Sequence, residues 1–195
     1  MSIIRNVIVA GVSRQPATQT PTNFFFQASD KSIGSAVVNA LLSAGFAVSV
    51  LSRSVSTSSV PLPENVTIVK TDYTSSSLQS ALKGQDAVVS CVGYPGLMSQ
   101  LDVIDAAEAV GVQRFIPSEF GDDTLIANWL EDLEKIMFWK RRVLQHLEEV
   151  AGRNENFSWT GLANGPFIDW VYLSPLSRIS YMQLALYRLL LSNRC

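Results

Sequence analysis

The stretch NVIVAGVSRQPATQTPTNFFFQASDKSIGSAVVNALL, residues 6–42, decides the fold. Val7-Ile8-Val9-Ala10 is a continuous apolar run, as in a strand covered on both faces, and it ends on Gly11. After Ser32, residues Ile33, Val37, Ala40, Leu41 and Ala44 recur at helical spacing, and Gly45 closes that helix. Between strand and helix, Arg14 to Lys31 form a Pro/Thr/Gln/Phe tract without periodicity. A structureless tract of this length is out of place in a compact turn. It reads as an insertion, such as translated non-coding sequence. It is expected to form a surface excursion, with Phe24, Phe25 and Phe26 partly exposed.

Outward from this stretch, strands alternate with helices. FAVSVLSRS (46–54) reads as a second buried strand ending near Arg53, and SVSTSSVPLPEN (54–65) as a loop. VTIVKTD (66–72) is a third strand, TSSSLQSALKG (74–84) a capped helix with a terminal glycine, and DAVVSCVG (86–93) a fourth strand. SQLDVIDAAEAVG (99–111) is a helix, QRFIP (113–117) a short strand, and a long helix runs from about Leu130 to Val150. FSWTGL (157–162) is a sixth strand. Alternating elements with near-continuous apolar strands predict an α/β fold: a doubly wound, Rossmann-like parallel sheet whose ligands bind at the strands' carboxyl ends. Residues 1–170 form this domain, and 171–195 form a tail outside its pattern.

Composition narrows the function. With 195 residues, 47% of them hydrophobic, the chain can bury one real core. A net charge of -2 leaves no basic footprint for nucleic acid. The two cysteines, Cys91 and Cys195, make no disulfide framework, and His146 is the single histidine, so a multi-histidine metal site is excluded. No signal peptide or membrane-spanning stretch is read, so a soluble cytoplasmic protein is expected.

With residues 14–31 excised, VIVAGVS joins SIGSAVVNALL, and Gly11 and Gly34 fall at the first and last glycines of a dinucleotide loop. Such loops use glycine so that backbone N–H groups can approach a pyrophosphate at the helix N-terminus. The middle glycine is missing. Alternatively, Gly11 turns the strand and Gly34 packs the helix. Ser13 and Ile33 flank the join and complete the loop's candidate cofactor-binding set. The second strand ends on Ser52-Arg53-Ser54 with no acid, which favours NADPH over NADH because an arginine there can meet the 2′-phosphate. Asp72 either meets the adenine amine or serves as a cap or turn aspartate. Val92 and Gly93 end the fourth strand, where backbone passes a cofactor.

GVQRFIPSEFGDD (111–123) closely resembles the signature of the isoflavone reductase-like and NmrA-like atypical short-chain dehydrogenases. AGFAVSVLSRS (44–54), VKTDYTSSSLQSALKGQDAVVSCVG (69–93), FWKRRVLQHLEE (138–149) and WTGLANGPFIDW (159–170) extend the resemblance, which covers Asn6 to about Trp170 apart from the tract. It implies an NADPH-dependent reductase with Lys140 as the catalytic lysine, also near the cofactor. It implies further that Ser118, Glu119 and Phe120 shape the nicotinamide side of the cleft, with Asn164 and Phe167 bordering the substrate.

Lys140 stands out on physical grounds too. Leu133, Ile136, Met137, Leu144 and Leu147 form one helical stripe that includes it. A lysine there either reaches a cleft or partner, or snorkels to solvent. Glu119 is read as a cap or ion-pair residue and is not named as the general acid. Arg141, Arg142, Glu148 and Glu149 read as a solvated face, His146 as structural or exposed, and Trp129 and Trp139 as packing residues.

Family members continue well beyond this length, into a substrate lobe. Here the resemblance stops after Trp170. The remainder is leucine-rich and looks like a shifted frame, with Ile179, Met182, Leu186 and Leu189 at helical spacing. Three readings follow. One is an oxidoreductase acting on a small aromatic or related secondary-metabolite substrate. Another is a non-catalytic NADP(H) sensor with a protein partner. The third is a chain of either ancestry rendered inactive by its tract and tail.

Overall fold

The computed structural model of the chain describes residues 3–12, 33–54, 62–121, 123–124 and 131–165. The expected excursion over residues 14–31 and the tail of 171–195 lie outside them.

Among the described residues there are six strands: β1 (Asn6–Ala10), β2 (Ala47–Arg53), β3 (Thr67–Thr71), β4 (Ala87–Ser90), β5 (Arg114–Ile116) and β6 (Ser158–Trp159). They form one parallel sheet in the order β3-β2-β1-β4-β5-β6. The helices are α1 (Ile33–Ser43), α2 (Ser75–Leu82), α3 (Ser99–Ala109) and α4 (Glu131–Arg153). This is the expected doubly wound arrangement, with the order reversing between β1 and β4.

The alternation of a strand explains the two cores. From β1, Ile8 and Ala10 enter a core with Leu78, Val103, Ile104, Phe115, Val143 and Leu147, under α2, α3 and α4. Val7 and Val9 point the other way, packing with Val38, Val48, Val50 and Val89 under α1. Ile8 and Val9 are fully buried, which is why the run shows no polar alternation. Burying such a side chain stabilises by roughly 1.5–3 kcal/mol.

α1 is rotated by about one residue from the expected stripe. Gly34 and Val38 are its buried residues, whereas Ala40 and Ala44 are exposed. The cause is backbone contact: a Cβ on Gly34 would lie 2.9 Å from the Gly11 carbonyl oxygen and 3.0 Å from Val12 Cα. Gly34 therefore turns inward, and the apolar stripe follows it.

α2 begins as its sequence suggests, with the Thr74 side chain accepting from the Ser77 N–H at 3.4 Å. α4 reaches Arg153 rather than Val150, where Arg153 pairs with Glu108 of α3. No helix among the described residues is long and apolar enough to cross a membrane.

Register brings the strand ends together. Ala10 lies opposite Leu51 of β2 and Ser90 of β4, and Val89 opposite Ile116 of β5. The segments after β1, β2, β4 and β5 thus emerge along one edge of the sheet.

Candidate functional site

At the centre of that edge, β1 and β4 touch through backbone. Gly11 has φ +82°, and a Cβ on it would sit 2.4 Å from the carbonyl carbon and oxygen of Cys91 and 2.6 Å from the Val92 nitrogen. Only glycine fits there, in conformation and in space. Gly34 then rests on Gly11 and Val12, so strand end and helix start meet although residues 13–32 separate them in sequence. Ile33, the first residue of α1, packs partly buried on the α1-side core. Ser13 lies outside the described residues.

On the β2 side, Arg53 and Ser54 are exposed and line, with Thr71 and Asp72, a small open depression of about 120 Å³. The Asp72 carboxylate accepts from the Thr74 N–H at 2.9 Å and the Thr74 hydroxyl at 2.7 Å, which lowers its pKa. Asp72 thus makes the turn contacts through Oδ1, while Thr74 is the cap. Beside it Tyr73 has φ +66° and packs on the core; burial pushes its hydroxyl up, against the opposing charge of Arg53. Lys70 also reaches this end of the sheet, its Nζ 3.2 Å from Ser52 Oγ. No sequence pattern singles out Lys70; only the β2–β3 register sets it opposite Ser52.

On the β4–β5 side, hydrogen bonds fix the loops. The Ser118 hydroxyl donates to the Val92 carbonyl at 2.8 Å, and the Ser118 N–H donates to Gln100 Oε1 at 2.9 Å. Gln100, fully buried, donates in turn to the Leu97 carbonyl at 3.2 Å. Gln100 was legible in principle, since Gln100, Val103, Ile104 and Ala107 share one buried stripe of α3. Gly93 is exposed in extended backbone, and Phe120 packs partly buried on the α1-side core.

α4 supplies the remaining group. Met137, Lys140, Leu144 and Leu147 form a buried stripe that also includes Val143 and Val150, and Lys140 is only 7% exposed. Of the other stripe residues, Ile136 is partly buried, and the Leu133 side chain lies outside the described residues. Lys140 Nζ faces Gly121 (φ +151°): a Cβ on that glycine would lie 3.6 Å from it. Glu119, 4% exposed, accepts from the Thr124 hydroxyl at 2.8 Å. Burial raises the Glu119 pKa, opposed by the charge of Lys140 and the Thr124 bond.

The solvated face of α4 needs correction at Arg141, which is half-buried, pairs with Glu134 and reaches the Thr124 carbonyl at 3.5 Å. His146 joins α3 to α4 through Asp105, with Nε2 2.7 Å from Oδ1. Trp139 is half-buried and sits edge-on to Phe138. After β6 the Gly165 N–H donates to the Gly121 carbonyl at 2.9 Å, while Asn164 is exposed. Trp129 and Phe167 lie outside the described residues.

The edge thus gathers Gly11, Gly34, Val92 and Ser118 at its centre, Arg53 and Asp72 on one side, and Glu119 and Lys140 on the other. These residues fit a dinucleotide: backbone without side chains at the strand–helix turn, a cation at the end of β2 and a buried amine beyond β5.

Comparison with known proteins agrees. Residues 31–171 match the family model described as NAD(P)H-binding. "Oxidoreductase poxI" of Penicillium oxalicum is 36% identical over 137 residues, which is 70% of this chain and 43% of that protein. "Isoflavone reductase homolog IRL" of Zea mays is 35% identical over 102 residues, 51% of this chain and 33% of that protein. Among solved structures, the leucoanthocyanidin reductase–NADPH complex from Vitis vinifera superposes with a TM-score of 0.59 at 26% identity, covering 81% of this chain and 49% of that one. The chain spans less than half the length of the curated relatives it matches. It belongs to the NAD(P)H-binding family, has its Rossmann fold, and is similar to the isoflavone reductase-like oxidoreductases.

Proposed function

We propose that the chain carries the NADPH-binding part of a cytoplasmic oxidoreductase that reduces a small aromatic or related secondary-metabolite substrate. The observation that carries this reading is the contact of Gly34 with Gly11 at the sheet's carboxyl edge. In support of NADPH over NADH, Arg53 ends β2 with no acid beside it, and Lys70 stands at Ser52 as a second cation. Asp72 borders the same depression, where its carboxylate can meet the adenine amine.

When bound, NADPH supplies a hydride to a carbonyl carbon or activated alkene carbon of the substrate. Lys140, held among apolar neighbours, donates the matching proton as an ammonium and regains one from solvent. Ser118, tied to Val92 and Gln100, holds the β5 loop in register with β4. Phe120, Asn164 and Phe167 are assigned to the nicotinamide and substrate sides of the cleft. As it stands, the chain is expected to turn over little, because residues 14–31 interrupt the glycine loop.

Calorimetric titration with NADPH, on this chain and on a version lacking residues 14–31, tests the reading. Micromolar binding by the shortened version and weaker binding by the natural one is expected. Absence of binding in both overturns it. Wherever turnover of aromatic enones is measurable, Lys140→Met should lower it by about 10²–10⁴-fold while NADPH affinity persists. Clear turnover by the natural chain would refute its expected inactivity.

A further inference from the structure

Where β3 ends, one residue carries an unusual backbone. Among the described residues, only Tyr73 combines a side chain with a positive φ, at +66°. A side chain in that left-handed region is crowded, and it persists only where the surroundings over-determine it. Two anchors do so here. The Tyr73 ring packs on the core under α2, α3 and α4, and its N–H donates to the Thr71 hydroxyl at 3.0 Å. Thr71 is 1% exposed, and its Oγ1 lies 3.1 Å from Ser77 Oγ in the first turn of α2. Ser77 Oγ in turn accepts from the Asp72 N–H at 3.4 Å.

This knot borders the small depression lined by Arg53, Ser54, Thr71 and Asp72. Thr71 joins its two walls. Its carbonyl accepts from the Ser54 N–H at 2.8 Å, and its hydroxyl fixes the turn that carries Asp72. The turn sends neighbouring side chains apart: Asp72 is exposed, whereas Tyr73 is half-buried on the core. Asp72 Oδ1 closes the turn on Thr74, and the carboxylate stays at the depression. Backbone strain concentrates at turns that hold ligands, and here it lies next to the one carboxylate of that depression.

We propose that Thr71 is a positioning residue for an adenine ring: its hydroxyl holds Tyr73 in the left-handed conformation and so presents the Asp72 carboxylate to the exocyclic amine. This rests on the proposed placement of the adenine at Asp72. A carboxylate accepts from the amine of adenine but repels the 6-oxygen of hypoxanthine, so the arrangement reads which purine is bound.

The test is calorimetric titration of the full natural chain with adenosine 2′,5′-bisphosphate and with inosine 2′,5′-bisphosphate. Both lack the nicotinamide half of the dinucleotide. The adenosine compound should bind at least about tenfold more tightly. Thr71→Val, which keeps the shape and removes the hydroxyl, should cut that preference to about threefold or less. Thr71→Ser, which keeps the hydroxyl, should retain it within about twofold. General loosening of the fold would weaken both ligands together and leave their ratio unmoved. An unchanged ratio in Thr71→Val, or an equal fall in Thr71→Ser, overturns the proposal. If Thr71→Val does not fold, Ser77→Ala is read in its place with the same expected fall, and an unchanged ratio there overturns it. A natural chain that binds both compounds equally overturns the proposal but leaves NADPH binding standing. One that binds neither overturns the NADPH reading and this proposal with it.

Discussion

The two ends of the carboxyl edge are built by different means. On the β1–β2–β3 side the site is backbone and surface charge: Gly11 against Cys91 and Val92, Gly34 against Gly11, and Arg53 and Lys70 in the open. On the β5–α4–β6 side it is buried side chains brought from widely separated positions: Gln100 to Ser118, Thr124 to Glu119, Lys140 to Gly121. The first kind of site tolerates change at its rim but none at its glycines. The second tolerates no orphaned partner, because each buried polar group depends on another.

The largest effect expected from this contrast is at Gly11. Gly11→Ala forces a Cβ to within 2.4 Å of main-chain atoms at φ +82°, with only backbone to yield. We expect destabilisation of more than about 4 kcal/mol or failure to fold, measured by denaturant unfolding. A loss under about 1 kcal/mol would mean that β1 and β4 part easily, and the contrast would break.

A smaller effect is expected at the rim. Arg53→Ala, in the version lacking residues 14–31, should cost about 1.5–3 kcal/mol of NADPH affinity and spare both NADH binding and the fold. Calorimetry with both cofactors decides it. Equal losses would show that Arg53 does not read the 2′-phosphate.

The smallest effect lies at the opposite edge of the sheet. Asp86 accepts from the N–H groups of Arg5 and Asn6, each at 2.8 Å, and these bonds hold its pKa below its ordinary value of 3.8. A folded pKa below the unfolded one gives stability that is present above pH 4 and is lost as the pH falls through the folded value. Since the group is only half-buried and screened by solvent, Asp86→Ala should cost only about 0.5–1 kcal/mol near pH 7 and little near pH 2. Urea midpoints at both pH values check this, and NADPH affinity should not move.

What could be read from the residues follows the same division. The alternation of strands and helices and the burial of β1 on both faces were legible because burial on both sides leaves apolar runs, and Gly11 and Gly34 because their spacing survives removal of the tract. Lys140 was legible as a charge on an apolar stripe. Thr124 was not, because its role exists only once the loop after β5 folds onto Glu119. Gln100 left a trace on its stripe of α3, but Lys70 needed the β2–β3 register. The inward turn of Gly34 shows why the α1 stripe was misjudged: a glycine carries no hydrophobic signal, yet it sets the rotation of the helix.

Cys91 carries a different consequence. It is 6% exposed, lies directly behind Gly11, and burial pushes its thiol up to about 12. Reagents that attack thiolates should therefore pass over it in the closed molecule. Its labelling becomes a clock: each modification records a moment when the seam between the first and fourth strands had opened. In the limit of fast reclosing, the modification rate relative to that of an unstructured thiol gives the free energy of that opening.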